Sequence, residues 1–412
     1  MSPWDWLRGR STESHHPAPP NTPTPASKPS GDIVFRVTSI PHGTSLSDLH
    51  SALSDFPNLV PSCTTLCASA DSPRRYLTAL IHFFPSPPTI LATLRRGDIY
   101  PVELSQGTSS HDIAIDRDFD GLTQLYEPGG TIKADIVAVC GLNGHPYGSW
   151  TAHPEKKGQR KMWLRHFLRE DMPGCRTMIY GYDSSLSEET RGIHRIPDYS
   201  EGLLKALKNS RKSEEEKERA LIFVGHHLGG IIISQVASQA LVRAKESEKI
   251  YGSLFRCTRA TIFFGTPHRG LSVDDILDMI GDHSSRVELV KSLQTGSQEL
   301  AAELRRFKNY VADAKIKIVS FKESEQSLKL KKGPDGKWSR SGDPYTAVEA
   351  ESALLQLPET MEETLSVAGD NSTMVKFKHK AHTTYKNVLE YLEEYAHPCP
   401  RLGISPLLFS PA

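Results

Sequence analysis

An apolar run ends in Val224-Gly225-His226-His227-Leu228-Gly229-Gly230, and a second apolar run comes directly after it. Gly225 and Gly229 stand about His227 at the spacing of G-x-S-x-G, the sharp strand-to-helix turn that holds a nucleophilic serine on a strained tip. The flanking positions call for glycine because a side chain there meets neighbouring backbone. Histidine occupies the tip in this chain. An imidazole can accept an acyl or phosphoryl group. It is bulkier than a hydroxyl, however, crowds the space of a tetrahedral intermediate and needs a partner to set its tautomer. Leu228 opens the next helix, where a free N–H and the helix dipole favour negative charge. Gly141-Leu142-Asn143-Gly144 is flanked by glycine in the same way, and the Leu142 N–H is the second oxyanion donor it predicts.

Three further loops carry chemistry: FGTPHRG with His268, FKES with Glu323, and AGDNSTMVKF with Asp370 and Asn371. Each glycine-rich loop taken singly is ordinary turn chemistry, but the combination in this order is specific. Glu323 is an acid able to orient an imidazole, whereas the carboxamide of Asn371 cannot exchange a proton near neutral pH. A metal held by His226, His227 and His268, with oxygen from Glu323 or Asp370, is the competing chemistry. Adjacent histidines on a tight turn diverge, so the reading is no metal and no cofactor.

These loops need a scaffold. From 134 to 397 near-continuous apolar strands (ADIVAVCGL, RTMIYGYD, ALIFVGHH, RATIFFGT, AKIKIVSFKE) alternate with amphipathic helices, which predicts a mostly parallel sheet with helices on both faces. Such sheets place their sites in loops leaving the carboxyl ends of strands. Ala220 to Val242 is uncharged and long enough to span a bilayer, yet GHHLGG at its centre reads as strand, turn and buried helix. The segment 324–346 is polar and lysine-rich, and reads as a flap beside the pocket or a solvated loop. His379 and His382 read as surface residues before the last helix.

Residues 1–30, rich in Pro, Ser and Thr, read as a disordered tail, and 398–412 as a second tail. Residues 31–105 read as a small ferredoxin-like βαββαβ domain, and 106–133 as a connector whose GLTQLYEPGG docks on the domain after it. That topology is shared with RNA-recognition modules, which stack bases on aromatics of the two central strands. Arg36, Thr78 and Leu80 stand where those rings belong, so a packing or interaction domain is expected, not an RNA binder. Lys+Arg and Asp+Glu balance at 49 each, which argues against duplex nucleic acid or an anionic membrane as an electrostatic partner. Six scattered cysteines and no apolar N-terminal stretch predict a reducing, intracellular compartment.

The succession DIVAVCGLNGHPYGSW, MWLRHFLRED, RTMIYGYDS, LIFVGHHLGG, IFFGTPHRG, IVSFKES, NSTMVKF resembles the lipase-like α/β-hydrolase domain of the serine active site-containing proteins. The stretch from FRVTSIP through GLTQLYEP resembles the extension of filamentous-fungal members. The resemblance implies an α/β-hydrolase fold and a serine–acid–histidine triad, with association to endoplasmic reticulum or mitochondria and a role near phospholipids. Residue by residue, the serine position holds His227, the histidine position holds Asn371, and Glu323 keeps the acid. Removing a triad member typically costs on the order of 10⁴ to 10⁶ in turnover. The first expectation is therefore a pseudohydrolase that binds a lipid or acyl ligand, or a protein partner through the N-terminal domain. The alternative is an active carboxylic-ester hydrolase or acyltransferase of non-standard arrangement, motivated by the retained glycines. A third reading makes the N-terminal unit the working part.

Overall fold

The computed structural model describes residues 33–106, 109–152, 160–186, 192–246, 248–333 and 338–397. The tails expected at 1–30 and 398–412 lie outside them. Two sheets organise the described chain.

The first is antiparallel and formed by β1 (Ile33–Pro41), β2 (Thr65–Ala68), β3 (Tyr76–Phe83), β4 (Tyr100–Gln106) and β5 (Ser109–Asp116), in the order β2-β3-β1-β5-β4. Helix α1 (Leu46–Ala52) starts at Ser45, whose hydroxyl accepts from the Asp48 N–H while the Asp48 carboxylate accepts from the Ser45 N–H. α2 (Thr89–Ala92) is a single turn. Phe35, Val37, Ala79, Ile81, Ile113 and Ile115 alternate inward along their strands and close a core with Leu49 and Leu53.

This corrects the ferredoxin-like expectation. In βαββαβ the last strand lies beside β1, but here β5 takes that place and β4 is moved to the edge. Residues 106–133 are accordingly more than a connector. Their apolar alternation, Ile113 and Ile115, is too short to stand out against SSHD, yet it suffices once β4 offers a partner edge.

The second sheet contains β6 (Gly121–Gln124), β7 (Ala134–Val139), β10 (Cys175–Gly181), β11 (Ala220–His226), β12 (Thr258–Phe264), β13 (Lys317–Glu323) and β16 (Glu362–Val367). A small pair, β8 (Thr151–Ala152) and β9 (Lys161–Met162), lies outside it, as does the hairpin β14 (Ser327–Lys332) and β15 (Trp338–Tyr345). The order is β16-β13-β12-β11-β7-β10-β6, parallel throughout except for antiparallel β6. This is the α/β-hydrolase fold. Chain order reverses between β7 and β11, the place where such sheets open a crevice.

The covering helices keep the expected alternation, with short additions and one break. MWLRHFLRED is broken into α3 (Trp163–His166) and α4 (Leu168–Asp171) at Phe167. Next come α5 (Ile196–Ser210), α6 (Glu214–Glu218), α7 (Leu228–Glu246), α8 (Ser253–Cys257), α9 (Asp274–Ile280), α10 (Val287–Ser292), α11 (Gln298–Ala314), α12 (Ala350–Ala353) and α13 (Thr383–Tyr395), of which α6, α8 and α12 are the short additions. α7 packs against α5 and α11, while α13 lies on β11 and β12. The uncharged run from Ala220 is thus strand, turn and helix. No helix among the described residues is long and apolar enough to cross a membrane.

The two sheets are joined by buried polar contacts. The Arg165 guanidinium, 3% exposed, donates to His82 Nε2, the Tyr147 hydroxyl at 3.1 Å and the Cys63 carbonyl at 2.5 Å. Arg36, paired at 2.8 Å with Asp116 of its own sheet, donates across to the Thr123 hydroxyl of β6 at 2.9 Å, and Leu80 belongs to the larger core. The face on which a base-stacking platform would stand is therefore turned toward the larger sheet.

Candidate functional site

β11 runs straight into α7 through one residue, His227. Its φ of +52° is the left-handed conformation that a non-glycine residue adopts only under constraint. The His227 N–H donates to the Phe264 carbonyl and its own carbonyl accepts from the Gly230 N–H, both at 3.0 Å. Crowding explains the glycines. A Cβ on Gly225 would lie 2.6 Å from Gly230 Cα, one on Gly229 2.2 Å from the Val139 oxygen, and one on Gly230 2.0 Å from Thr266 Oγ1. Gly141 of the facing loop is held as closely, since a Cβ there would meet His227 Cβ at 2.8 Å.

Leu142 and Leu228 are both buried. Leu228 is the first residue of α7, so its N–H has no intrahelical acceptor. Leu142 sits between Gly141 and Asn143. The Asn143 N–H donates to the Ser184 carbonyl at 2.7 Å, and the Asn143 amide oxygen accepts from the Leu186 N–H at 3.1 Å. His145 fastens the far end of this loop. Its Nδ1 accepts from the N–H groups of Tyr147 and Gly148, and its Nε2 donates to the Arg117 carbonyl of the segment after β5.

The half-buried imidazole of His227 is neutral: burial pushes it down to about 3, helped by neighbouring His226 and Arg340. His226 is pushed down to about 4, again mainly by burial. Its Nε2 donates to the Asn371 carbonyl at 2.7 Å, which leaves Nδ1 as a lone pair with no protein partner. The Asn371 side chain is buried, and its Nδ2 approaches the Gly265 carbonyl at 3.4 Å. Glu323, at the end of β13, accepts from the Val348 N–H at 2.6 Å through Oε1, while its buried Oε2 has no protein partner. Burial pushes this carboxyl up to about 7 against the pull of the Val348 and Asn371 N–H groups. Asp370 is held below the usual carboxylate range by the Thr373 and Ser372 hydroxyls and the Thr373 N–H, which overcome the opposing effect of burial.

His227, Glu323 and Asn371 thus stand at the ends of β11 and β13 and just after β16, three parallel strands whose carboxyl ends open on one edge. His268 does not join them. It lies between α7 and α11, and among the described residues no group of three or more His, Cys, Asp or Glu side chains could hold a metal. The sequence did not point to Arg340. It comes from β15, in the segment read as flap or solvated loop, and that segment is an antiparallel hairpin with Ser327 and Leu330 buried. Lysine-rich polarity hid the two inward positions. His379 is exposed as expected, whereas His382, the residue before α13, is half-buried with its ring 5.1 Å from that of Phe377.

No family model matches the chain. It is similar to Protein SERAC1 of Danio rerio, 26% identical over 242 residues, which are 50% of this chain and 34% of that protein. Protein SERAC1 of Homo sapiens is 22% identical over 221 residues, 48% of this chain and 31% of that protein. The chain therefore matches about a third of the length of these curated relatives. Among solved structures, Bacillus licheniformis lipase BlEst2 in mature form is 17% identical, covers 65% of this chain and 97% of its own, and superposes with a TM-score of 0.43. The Vlm2 thioesterase domain, 14% identical, covers 67% of this chain and 98% of its own at 0.33. What this chain is similar to is thus a set of lipases, esterases and thioesterases, together with a stretch of SERAC1.

Proposed function

We propose that the chain is a pseudohydrolase: an α/β-hydrolase fold that keeps its elbow and acid and binds an acyl or lipid-like ligand without turning it over. The observation that carries this reading is the side chain at the elbow tip. A neutral imidazole stands at φ +52° where attack on a carbonyl would begin. It has no hydroxyl to be activated. The proton relay is also missing, because Asn371 turns its amide toward the Gly265 carbonyl and Glu323 Oε2 faces no imidazole.

Leu142 and Leu228 N–H groups are assigned to the ligand's carbonyl or carboxylate oxygen, with the dipole of the 19-residue helix α7 behind them. Gly225, Gly229 and Gly230 keep that geometry. The resemblance to serine active site-containing proteins of fungal type supports a role close to phospholipids at mitochondria or endoplasmic reticulum. The test is turnover of a p-nitrophenyl ester by purified protein, compared with His227→Ala. Equal rates at background support the proposal. A wild-type rate that falls on substitution overturns it in favour of an ester hydrolase or acyltransferase.

A further inference from the structure

A small recess lies between α7 and α11 and is lined by Ile231, Ser234, His268, Leu300, Glu303 and Leu304. Its three polar residues are 3%, 4% and 7% exposed for Ser234, His268 and Glu303 respectively. Two of their atoms, His268 Nε2 and Glu303 Oε1, are buried without a protein partner. A buried polar atom left unpaired costs about as much as a lost hydrogen bond, so two at one recess call for a shared partner.

The residue types are those of a hydrolytic triad, but Ser234 is not a nucleophile. Its hydroxyl donates to the Gly230 carbonyl at 3.0 Å inside α7, so its proton is committed and only its lone pairs face outward. Nor does the recess suit a metal ion. It offers one imidazole and one carboxylate, with Arg269 and Lys308 close enough to depress His268, and with the Ser238 hydroxyl and Arg306 beside Glu303.

We infer that this recess is the site of one tightly held water molecule that accepts from His268 Nε2–H and donates to Glu303 Oε1 and Ser234 Oγ. The donors and acceptors balance: the water uses both protons and one lone pair, within the two to four bonds usual for buried water. The bridge fixes the loop after β12, which also carries Thr266 against Gly230 and Gly265 against Asn371, to α11. It is therefore a positioning element for the back of the elbow, and it stands independently of the pseudohydrolase reading.

Two measurements on the full chain test it. A crystal structure at about 1.5 Å or better is expected to show a single water within hydrogen-bond distance of both atoms. A recess with no density, Glu303 turned to solvent, or a metal ion in stoichiometric amount overturns the inference. In solution, His268→Leu and Glu303→Leu are each expected to lower Tm by about 2–4 °C, and the double variant by clearly less than the sum, because removing both partners leaves nothing orphaned. Additive losses overturn it. Should a single variant not fold, the crystallographic result on the wild-type chain decides alone.

Discussion

His226 Nε2 donates to the main-chain carbonyl of Asn371 at 2.7 Å. Through this bond the residue before the elbow tip pins the loop after β16 by its backbone, whatever side chain position 371 carries. The frame of the site therefore does not depend on the group that would do chemistry there. His226→Leu is expected to lower stability by about 1–3 kcal/mol, the cost of an unpaired buried carbonyl. Hydrogen exchange should quicken in residues 369–374 before it does so elsewhere. Unchanged exchange there would mean the bond carries no such load.

The elbow glycines should differ in whether they can be rescued. Gly230→Ala meets the Thr266 side chain, and Gly229→Ala meets the carbonyl oxygens of Val139 and Cys140 at 2.2 and 2.5 Å. Both should be destabilising, by about 1–3 kcal/mol or more. Adding Thr266→Ala is expected to restore part of the Tm of Gly230→Ala and none of that of Gly229→Ala. Equal rescue, or rescue of neither, would contradict the packing described.

The pH dependence arises from two opposite shifts. His226, His227 and His268 are held neutral in the fold at about 4, 3 and 3, below the ordinary 6.5. Their contribution is present above pH 6.5 and is lost as pH falls, because the unfolded chain takes up protons that the folded chain refuses. Glu323, raised from 4.5 to about 7, acts the other way: its contribution is present below pH 4.5 and is lost as pH rises through 7. His227→Ser should flatten the acid limb of a stability–pH curve by up to about 1.4 kcal/mol per pH unit. Glu323→Gln should flatten the decline between pH 4.5 and 7. Denaturant titrations across that range read both.

Arg165 tests the union of the two sheets. Arg165→Met removes the charge-assisted hydrogen bonds to the Cys63 carbonyl, His82 and the Tyr147 hydroxyl, and should cost about 1–3 kcal/mol. Unfolding should still occur in one transition, because Val34 and Leu80 of the first sheet, and Ala70 just after β2, are packed into the core of the second. Two separated transitions in calorimetry would show that the N-terminal unit folds alone.

Much of this architecture was legible in the sequence because its signals are local. The elbow is announced by glycines whose need is steric, and the parallel strands by unbroken apolar runs such as ALIFVGH, buried at every position. What escaped depends on pairing at a distance. β6 is short and β5 alternates apolar residues only at its end, so they become strands when β10 and β4 offer them an edge. Arg340 reaches the site from a hairpin whose outer residues are polar, and no period in the sequence marks the inward positions. The recess at Ser234, His268 and Glu303 brings together three elements whose residues are far apart in the chain, and nothing in any one of them predicts the meeting.

Under the pseudohydrolase reading, attack and relay are lost at two positions of a frame otherwise intact, so restoring both should restore chemistry. The decisive measurement is labelling by a fluorophosphonate probe, with mass-spectrometric assignment of the site, in wild type, His227→Ser, Asn371→His and the double variant. The expected result is no labelling in wild type or Asn371→His, weak labelling in His227→Ser, and rapid labelling at position 227 in the double variant, with ester turnover about 10²-fold or more above wild type. Stoichiometric labelling of the wild-type protein at any serine of the larger domain would contradict that reading.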